Sequence, residues 1–238
     1  MQNKSTTHNP QPTTKSYVII VAGGSGSRMN SSLPKQFLLL NDKPVLMHTI
    51  EAFYNSATGP QIILVLPENF NDYWINICEE YSFQISHRIV RGGETRFQSV
   101  KNGLDTIEDD SDFLIAVHDA VRPLISSQII DFSYASADSN GNAIVAIKSR
   151  DSVRQLHDGV SSPLSRDEIY LVQTPQIFQS RQIKKAYLQR YDPMFTDDAS
   201  VVEKAGFKIH LIEGSHQNIK ITFPEDIEIA ATLLNKAK

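Results

Sequence analysis

The sequence contains one cysteine, Cys78, which excludes an internal disulfide and a multi-cysteine zinc site. A single thiol suits a reducing compartment, and Cys78 is expected to serve packing rather than chemistry. No apolar run approaches the ~20 residues of a membrane span. Residues 1–15 are polar, carry two prolines and lack the apolar stretch of a signal peptide, so a disordered N-terminal tail and a cytoplasmic location are expected. Basic excess is missing too: the formal net charge is −4, which gives no global field for nucleic acid. Any anionic substrate must therefore be met by locally gathered lysines and arginines.

Two nucleotide motifs are also absent. A G-x-G-x-x-G run beginning at Gly24 and Gly26 meets Met29 where its third glycine belongs, and no acidic residue ends a second strand about twenty residues later. No Lys-Ser or Lys-Thr follows Gly26, so a Walker loop fails as well.

What remains is 238 residues, 40% hydrophobic and 21% charged, enough for one domain from residue 16 to 238. Its most informative stretch is Tyr17 to Gln36. The β-branched run Tyr17 to Val21 stops at Ala22-Gly23-Gly24-Ser25-Gly26, with Arg28 and Lys35 close behind. Glycines let backbone N–H groups approach an anion, and long cations then supply full charge. The pattern suits a nucleotide-phosphate loop, although a tight strand-to-helix turn has the same glycines. A second glycine turn, Arg91-Gly92-Gly93-Glu94-Thr95-Arg96, follows a strand expected over 85–90 and leads into a helix carrying Phe97, Val100 and Leu104 on one face.

Further strands are expected at 61–66, 113–117, 143–147 and 207–212, the first two fully buried. The second of these, 113–117, ends in His118-Asp119-Ala120-Val121-Arg122-Pro123. Ligands of open α/β sheets sit beyond the carboxyl ends of strands, where Asp119 could hold Mg²⁺ on nucleotide phosphates or simply cap a helix. His118 reads as a hydrogen-bonded structural residue, and His87 as a surface one. From 152 to 172 the pattern changes: period-two alternation, the hairpin turn His157-Asp158-Gly159 and a returning run mark an antiparallel arm, about 149–174, leaving a mostly parallel sheet. A partner subunit would cover its edges. Lys220 interrupts an apolar run, 218–222, that reads as a strand, and it either points into a polar cleft or snorkels outward.

The blocks AGGSGSRM (22–29), PKQ (34–36), GGETRFQSV (92–100), HDAVRP (118–123), DSVR (151–154), QTPQ (173–176), TDDAS (196–200) and NIKIT (218–222), in this order, resemble the 2-C-methyl-D-erythritol 4-phosphate cytidylyltransferase family. The resemblance covers residues 18 to about 234. It implies an α/β fold, a Rossmann-like nucleotidyltransferase three-layer sandwich with a mostly parallel sheet and a protruding β-arm. It also implies cytidylyl transfer from CTP to a sugar-alcohol phosphate, with Mg²⁺ or another divalent cation, in a homodimer.

By the same resemblance Arg28, Lys35 and Lys220 would be the catalytic cations and Asp119 the metal ligand. Ala22, Gly23, Gly24, Ser25 and Gly26 would wrap the nucleotide, Gly93 and Ser99 would read cytosine, and Arg96 would join the CTP contacts. Asp119, Arg122, Ser152, Arg166, Thr174, Thr196 and Lys220 would meet the acceptor, with Arg166 and Thr196 on its phosphate across the dimer. The segment Ala146 to Arg150 departs from the family's usual Pro-Val approach to the arm, and Ser152 stands where threonine is common. Ribitol 5-phosphate is the alternative acceptor. Lys35→Ala is expected to fold normally and lose most turnover.

Overall fold

The computed structural model describes residues 15–22, 33–109 and 111–236. The expectations for the tail before Lys15, and those for Gly23, Gly24, Ser25, Gly26 and Arg28, lie outside the described residues. Lys15 itself pairs with Asp109 at 2.8 Å.

Uninterrupted apolar runs form the central strands because both of their faces are covered. The strands β1 (Ser16–Val21), β4 (Gln61–Leu66), β5 (Arg88–Arg91), β6 (Leu114–Asp119), β7 (Asn142–Lys148), β10 (Tyr170–Gln179) and β11 (Leu211–Glu213) form one sheet in the order β11-β7-β10-β6-β1-β4-β5. All pairings are parallel except those of β10, which runs against both β6 and β7. The short strands β2 (Leu39–Leu40) and β3 (Lys43–Pro44) form a separate hairpin.

Period-two alternation along the strands divides the core. Val18, Ile20, Leu64 and Ala116 face Leu46, Ile50 and Phe53 of α1 (Val45–Tyr54), Trp74 of α2 (Asn71–Glu80), and Ile130 and Tyr134 of α4 (Ser127–Asn140). Ile19, Ile63, Val65, Ile115 and Val117 face Phe97, Val100 and Leu104 of α3 (Arg96–Asp105), Ile183 of α5 (Ser180–Ala186), and Val201 and Val202 of α6 (Asp198–Lys204). Each such side chain stabilises the fold by ~1.5–3 kcal/mol when fully buried, so the three layers are set by the strand pattern. A smaller cluster of Leu40, Val45, Val121, Ile221 and Ala230 seats the last helix, α7 (Glu225–Lys236), on the β2–β3 hairpin.

The topology puts the switch point at β1, whose neighbours β4 and β6 come from either side of a crossover. Val21 pairs with both Val65 and Asp119, so the carboxyl ends of three strands finish level. Ligand sites of open α/β sheets form at such a point.

The arm emerges as expected. Strands β8 (Arg154–His157) and β9 (Val160–Pro163) pair in a two-stranded sheet of their own, closed by Asp158 at φ 48° and Gly159 at φ 79°, the double left-handed turn that matches strand twist. All eight strand residues are exposed.

Four local expectations change. β5 starts only at Arg88, because His87 Nδ1 bonds the carbonyl of Ile85 and its Nε2 accepts from Trp74 Nε1 at 2.8 Å. His87 is thus a half-buried partner of Trp74 rather than a surface residue. β11 covers only Leu211–Glu213, since the Asn142 side chain takes the backbone of Lys208 and His210. Residues 218–222 form no strand: Ile221 N–H makes a single backbone bond to the Val121 carbonyl, and side chains take two of the segment's carbonyls, Arg122 Nη1 donating to that of Asn218 and Lys35 Nζ to that of Ile221. Helix α4, capped by Ser126 and ended by Gly141 at φ 90°, was not evident from its weak apolar periodicity.

Candidate active site

Asp119 ends β6 with its carboxylate facing three cations. Lys220 Nζ lies 2.8 Å from Oδ2, Arg122 Nε 3.7 Å from Oδ2 and Arg96 Nε 3.6 Å from Oδ1. Burial alone would raise the Asp119 pKa, but Arg96, Lys220 and Arg122 outweigh it and hold the group well below the usual carboxylate range. The Asp119 N–H donates to Thr174 Oγ1 at 3.0 Å, which ties β6 to β10 where the latter's register shifts. Thr174, expected at the substrate, accepts the Asp119 N–H on its hydroxyl oxygen.

Lys35 lies in a short 3-10 turn, Lys35–Phe37, and is 8% exposed, with Nζ 2.9 Å from the Ile221 carbonyl. That contact carries the 218–222 segment, and Lys220 with it, over the strand ends. The next residue, Gln36, donates from Nε2 to the carbonyl of Ala22 at 2.8 Å. Ala22 itself donates to the Val65 carbonyl at 2.9 Å, so the exit of β1 is pinned from two sides.

The second glycine turn stands at the same end of the sheet. Ser99 Oγ accepts from Gly93 N–H at 3.1 Å and donates to the Thr95 carbonyl at 2.9 Å, while Thr95 caps α3. A Cβ on Gly93 would come within 2.4 Å of Gln98 Cβ, a contact that no rotamer of Gln98 relieves. A cavity of about 660 Å³ opens beside this turn, lined by Pro67, Glu68, Gly92, Gly93, Thr95 and Tyr191 among others.

Arg96 is engaged on two sides. Its fork pairs with Asp198, Nη1 to Oδ1 at 2.9 Å and Nη2 to Oδ2 at 2.6 Å, leaving Nε toward Asp119. Thr196 is exposed and directly precedes Asp197, the cap of α6. Ser152 and Arg166 are exposed on the arm, apart from this cluster; Arg166 Nη1 reaches the Arg150 carbonyl at 3.4 Å.

His118, fully buried, places Nε2 3.2 Å from the Arg122 carbonyl and its ring edge-on to Phe53, and burial pushes its pKa down to about 3. It is structural, as its sequence context suggested.

Sequence reasoning gave no role to Gln173, Gln176, Asn218 or Asp198. Asn218 Nδ2 donates to Gln173 Oε1 and to the Thr174 carbonyl, at 3.1 and 2.9 Å. The signal available was amides and acids inside apolar runs, where an unpaired polar group is costly.

The crevice over the ends of β1 and β6 presents fixed positive charge around one carboxylate, a setting for a polyphosphate chain rather than for a redox cofactor. Together with the three-layer sheet it defines the class as an α/β nucleotidyltransferase. Comparison narrows the class: the family model of 2-C-methyl-D-erythritol 4-phosphate cytidylyltransferase (IspD) matches residues 16–236, and the chain belongs to this family.

It is 49% identical over 220 residues to the enzyme of that name from Bacteroides thetaiotaomicron, covering 92% of this chain and 100% of the relative. The Bacteroides fragilis enzyme is 48% identical over 216 residues, covering 91% and 98%. Among solved structures, the 4-diphosphocytidyl-2C-methyl-D-erythritol synthase of Anaerococcus prevotii superposes with a TM-score of 0.79 at 30% identity, over 93% of this chain and 96% of that one. The Francisella tularensis cytidylyltransferase gives 0.76 at 32% identity, over 92% and 100%.

Proposed function

We propose that this chain transfers a cytidylyl group from CTP to 2-C-methyl-D-erythritol 4-phosphate, releasing diphosphate. An oxygen of the acceptor phosphate attacks the α-phosphorus of CTP in line, and the bond from that phosphorus to the bridging oxygen of the diphosphate breaks. The attacking group is already ionised at neutral pH, so no base is required. Positioning and charge stabilisation carry the rate.

In this reading Lys35 and Arg28 hold the triphosphate and offset charge that grows at the α-phosphate, and Lys220 joins them from the 218–222 segment. Gly93 N–H and Ser99 bound the nucleotide base, with the 660 Å³ cavity beside them. Arg122 and Thr196 serve the acceptor, and Arg166 and Ser152 approach it from the arm of a second copy. Thr174 acts through the Asp119 backbone.

Among the described residues no group of three or more His, Cys, Asp or Glu side chains could hold a metal by itself. A single carboxylate is nevertheless what a nucleotide-borne Mg²⁺ asks of a protein, because substrate phosphates and water complete its shell. Asp119 fits that demand, and we propose it as the ligand. Bound there, the ion would neutralise triphosphate charge.

The arm supports a homodimer. Leu156 and Val160 are 70% and 72% exposed, and Tyr170, Leu171 and Val172 at the arm's base are exposed too. No described helix is long and apolar enough to cross a membrane, and we place the reaction in the cytoplasm.

The observation that carries the proposal is the family match over residues 16–236. Its test offers the purified protein CTP and Mg²⁺ with either methylerythritol phosphate or ribitol 5-phosphate and follows diphosphate release. Faster release with methylerythritol phosphate is expected; faster release with ribitol 5-phosphate would overturn the choice of acceptor.

A further inference from the structure

A closed circuit of polar contacts joins Asp119 to the loop that carries Thr196. From Asp119 the backbone N–H reaches Thr174 Oγ1 on β10 at 3.0 Å. Two residues along the same strand, Gln176 donates from Nε2 to Asp197 Oδ2 at 2.9 Å and accepts from the Ala199 N–H at 2.8 Å. The adjoining Asp198 takes the fork of Arg96, and Arg96 Nε returns to Asp119 Oδ1 at 3.6 Å.

Asp198 is fully buried, and besides the fork its Oδ1 accepts from Tyr187 Oη at 2.6 Å. Tyr187 is almost fully buried and stacks on Phe97 of α3, with ring centroids 4.6 Å apart. A buried carboxylate is costly unless its partners are fixed. Here they are fixed by two other helices, Arg96 at the start of α3 and Tyr187 at the end of α5, while Asp198 itself opens α6. The contact gives Arg96 a partner facing away from the crevice, so that it meets Asp119 only through Nε.

We infer that Asp198, held by Tyr187 and forked to Arg96, is a positioning residue that sets Thr196 against Asp119 for the acceptor phosphate. The inference rests on the proposed function, in which Thr196 touches that phosphate. None of the three side chains needs to touch the acceptor.

The consequence is a split between the two substrates. Loss of the Tyr187 hydroxyl should loosen Asp198 and the start of α6 while Gly93 and Ser99 stay in place. The test uses the full chain, with steady-state kinetics for the acceptor, calorimetric binding of CTP and thermal unfolding. Tyr187→Phe, nearly isosteric, should raise the acceptor KM about three- to tenfold, the worth of one hydrogen bond, and leave CTP affinity within about twofold. Asp198→Asn should raise the acceptor KM by about 100-fold, the scale of a misplaced contact, and Asp198→Glu should recover part of that loss.

An unchanged acceptor KM in Tyr187→Phe would overturn the inference, as would equal losses for CTP and acceptor. If Asp198→Asn does not fold, Tyr187→Phe decides the question. Wild-type protein that binds CTP but turns over neither acceptor would overturn the functional reading and this inference with it.

Discussion

Lys220 Nζ and Asp119 Oδ2 lie 2.8 Å apart, with the lysine side chain 41% exposed and the aspartate 11%. An exposed partner makes this a weak structural bond, worth ~0–1 kcal/mol, but a well-placed cation at the mouth of the crevice. Lys220→Ala should therefore lower kcat by about 100-fold or more, the usual loss for one charge-stabilising donor, with Tm nearly unchanged. Steady-state kinetics with a thermal melt checks both halves. Turnover near the wild-type rate would remove Lys220 from the reaction.

Lys35 behaves differently, and its contact with Ile221 revises the expectation that Lys35→Ala folds normally. Its Nζ donates to the Ile221 carbonyl from a nearly buried position. Charge-assisted bonds of this kind contribute ~1.5–3 kcal/mol, and each kcal/mol moves Tm by about 2–4 °C in a chain of this size. Lys35→Ala should lose most turnover and also melt measurably earlier. An unaltered Tm would mean that Ile221 is held without it.

That revision shows where the sequence was legible. Val18 to Val21, Ile62 to Leu66 and Leu114 to Val117 announce buried strands because both faces need apolar side chains. The turn at Asp158-Gly159 was equally plain, since residues with positive φ leave few choices of type. Asn218 to Thr222 misled for a physical reason: apolar content says that a segment is buried, not which partner takes its backbone. Arg122 and Lys35 supply that partner through side chains, a role with no periodicity. Asp198 was hidden in the same way, because its partner Arg96 lies about a hundred residues upstream.

The arm offers a prediction about assembly. Leu156 and Val160 lie near its tip, where nothing else in the chain covers them among the described residues. Leu156→Asp, made in the full chain, should weaken self-association by about tenfold or more if that side chain is buried between copies. Sedimentation at graded concentration reads the change, and turnover should fall in parallel as the partner's Arg166 leaves the acceptor. A variant that sediments as wild type would take the arm out of the interface.

Acid stability follows from three histidines. Burial lowers the pKa of His48 and His87, and pushes that of His118 down to about 3, against an ordinary value of 6.5. Since each binds its proton more weakly folded than unfolded, the stability that depends on it is present above about pH 6.5 and is lost as the pH falls. For His118 the loss continues to about pH 3. Asp119, with its pKa held below the usual 3.8, adds its own loss only below that pH. The interval from pH 6.5 to about 4 therefore belongs mainly to the histidines, each removing at most ~1.4 kcal/mol per pH unit. His118→Gln should be less stable at pH 7.5, where the buried ring's packing is lost, yet show a flatter decline by nearly one proton between pH 6 and 4. Urea unfolding across that range measures the slopes, and equal slopes for wild type and variant would show that His118 is not the residue resisting protonation.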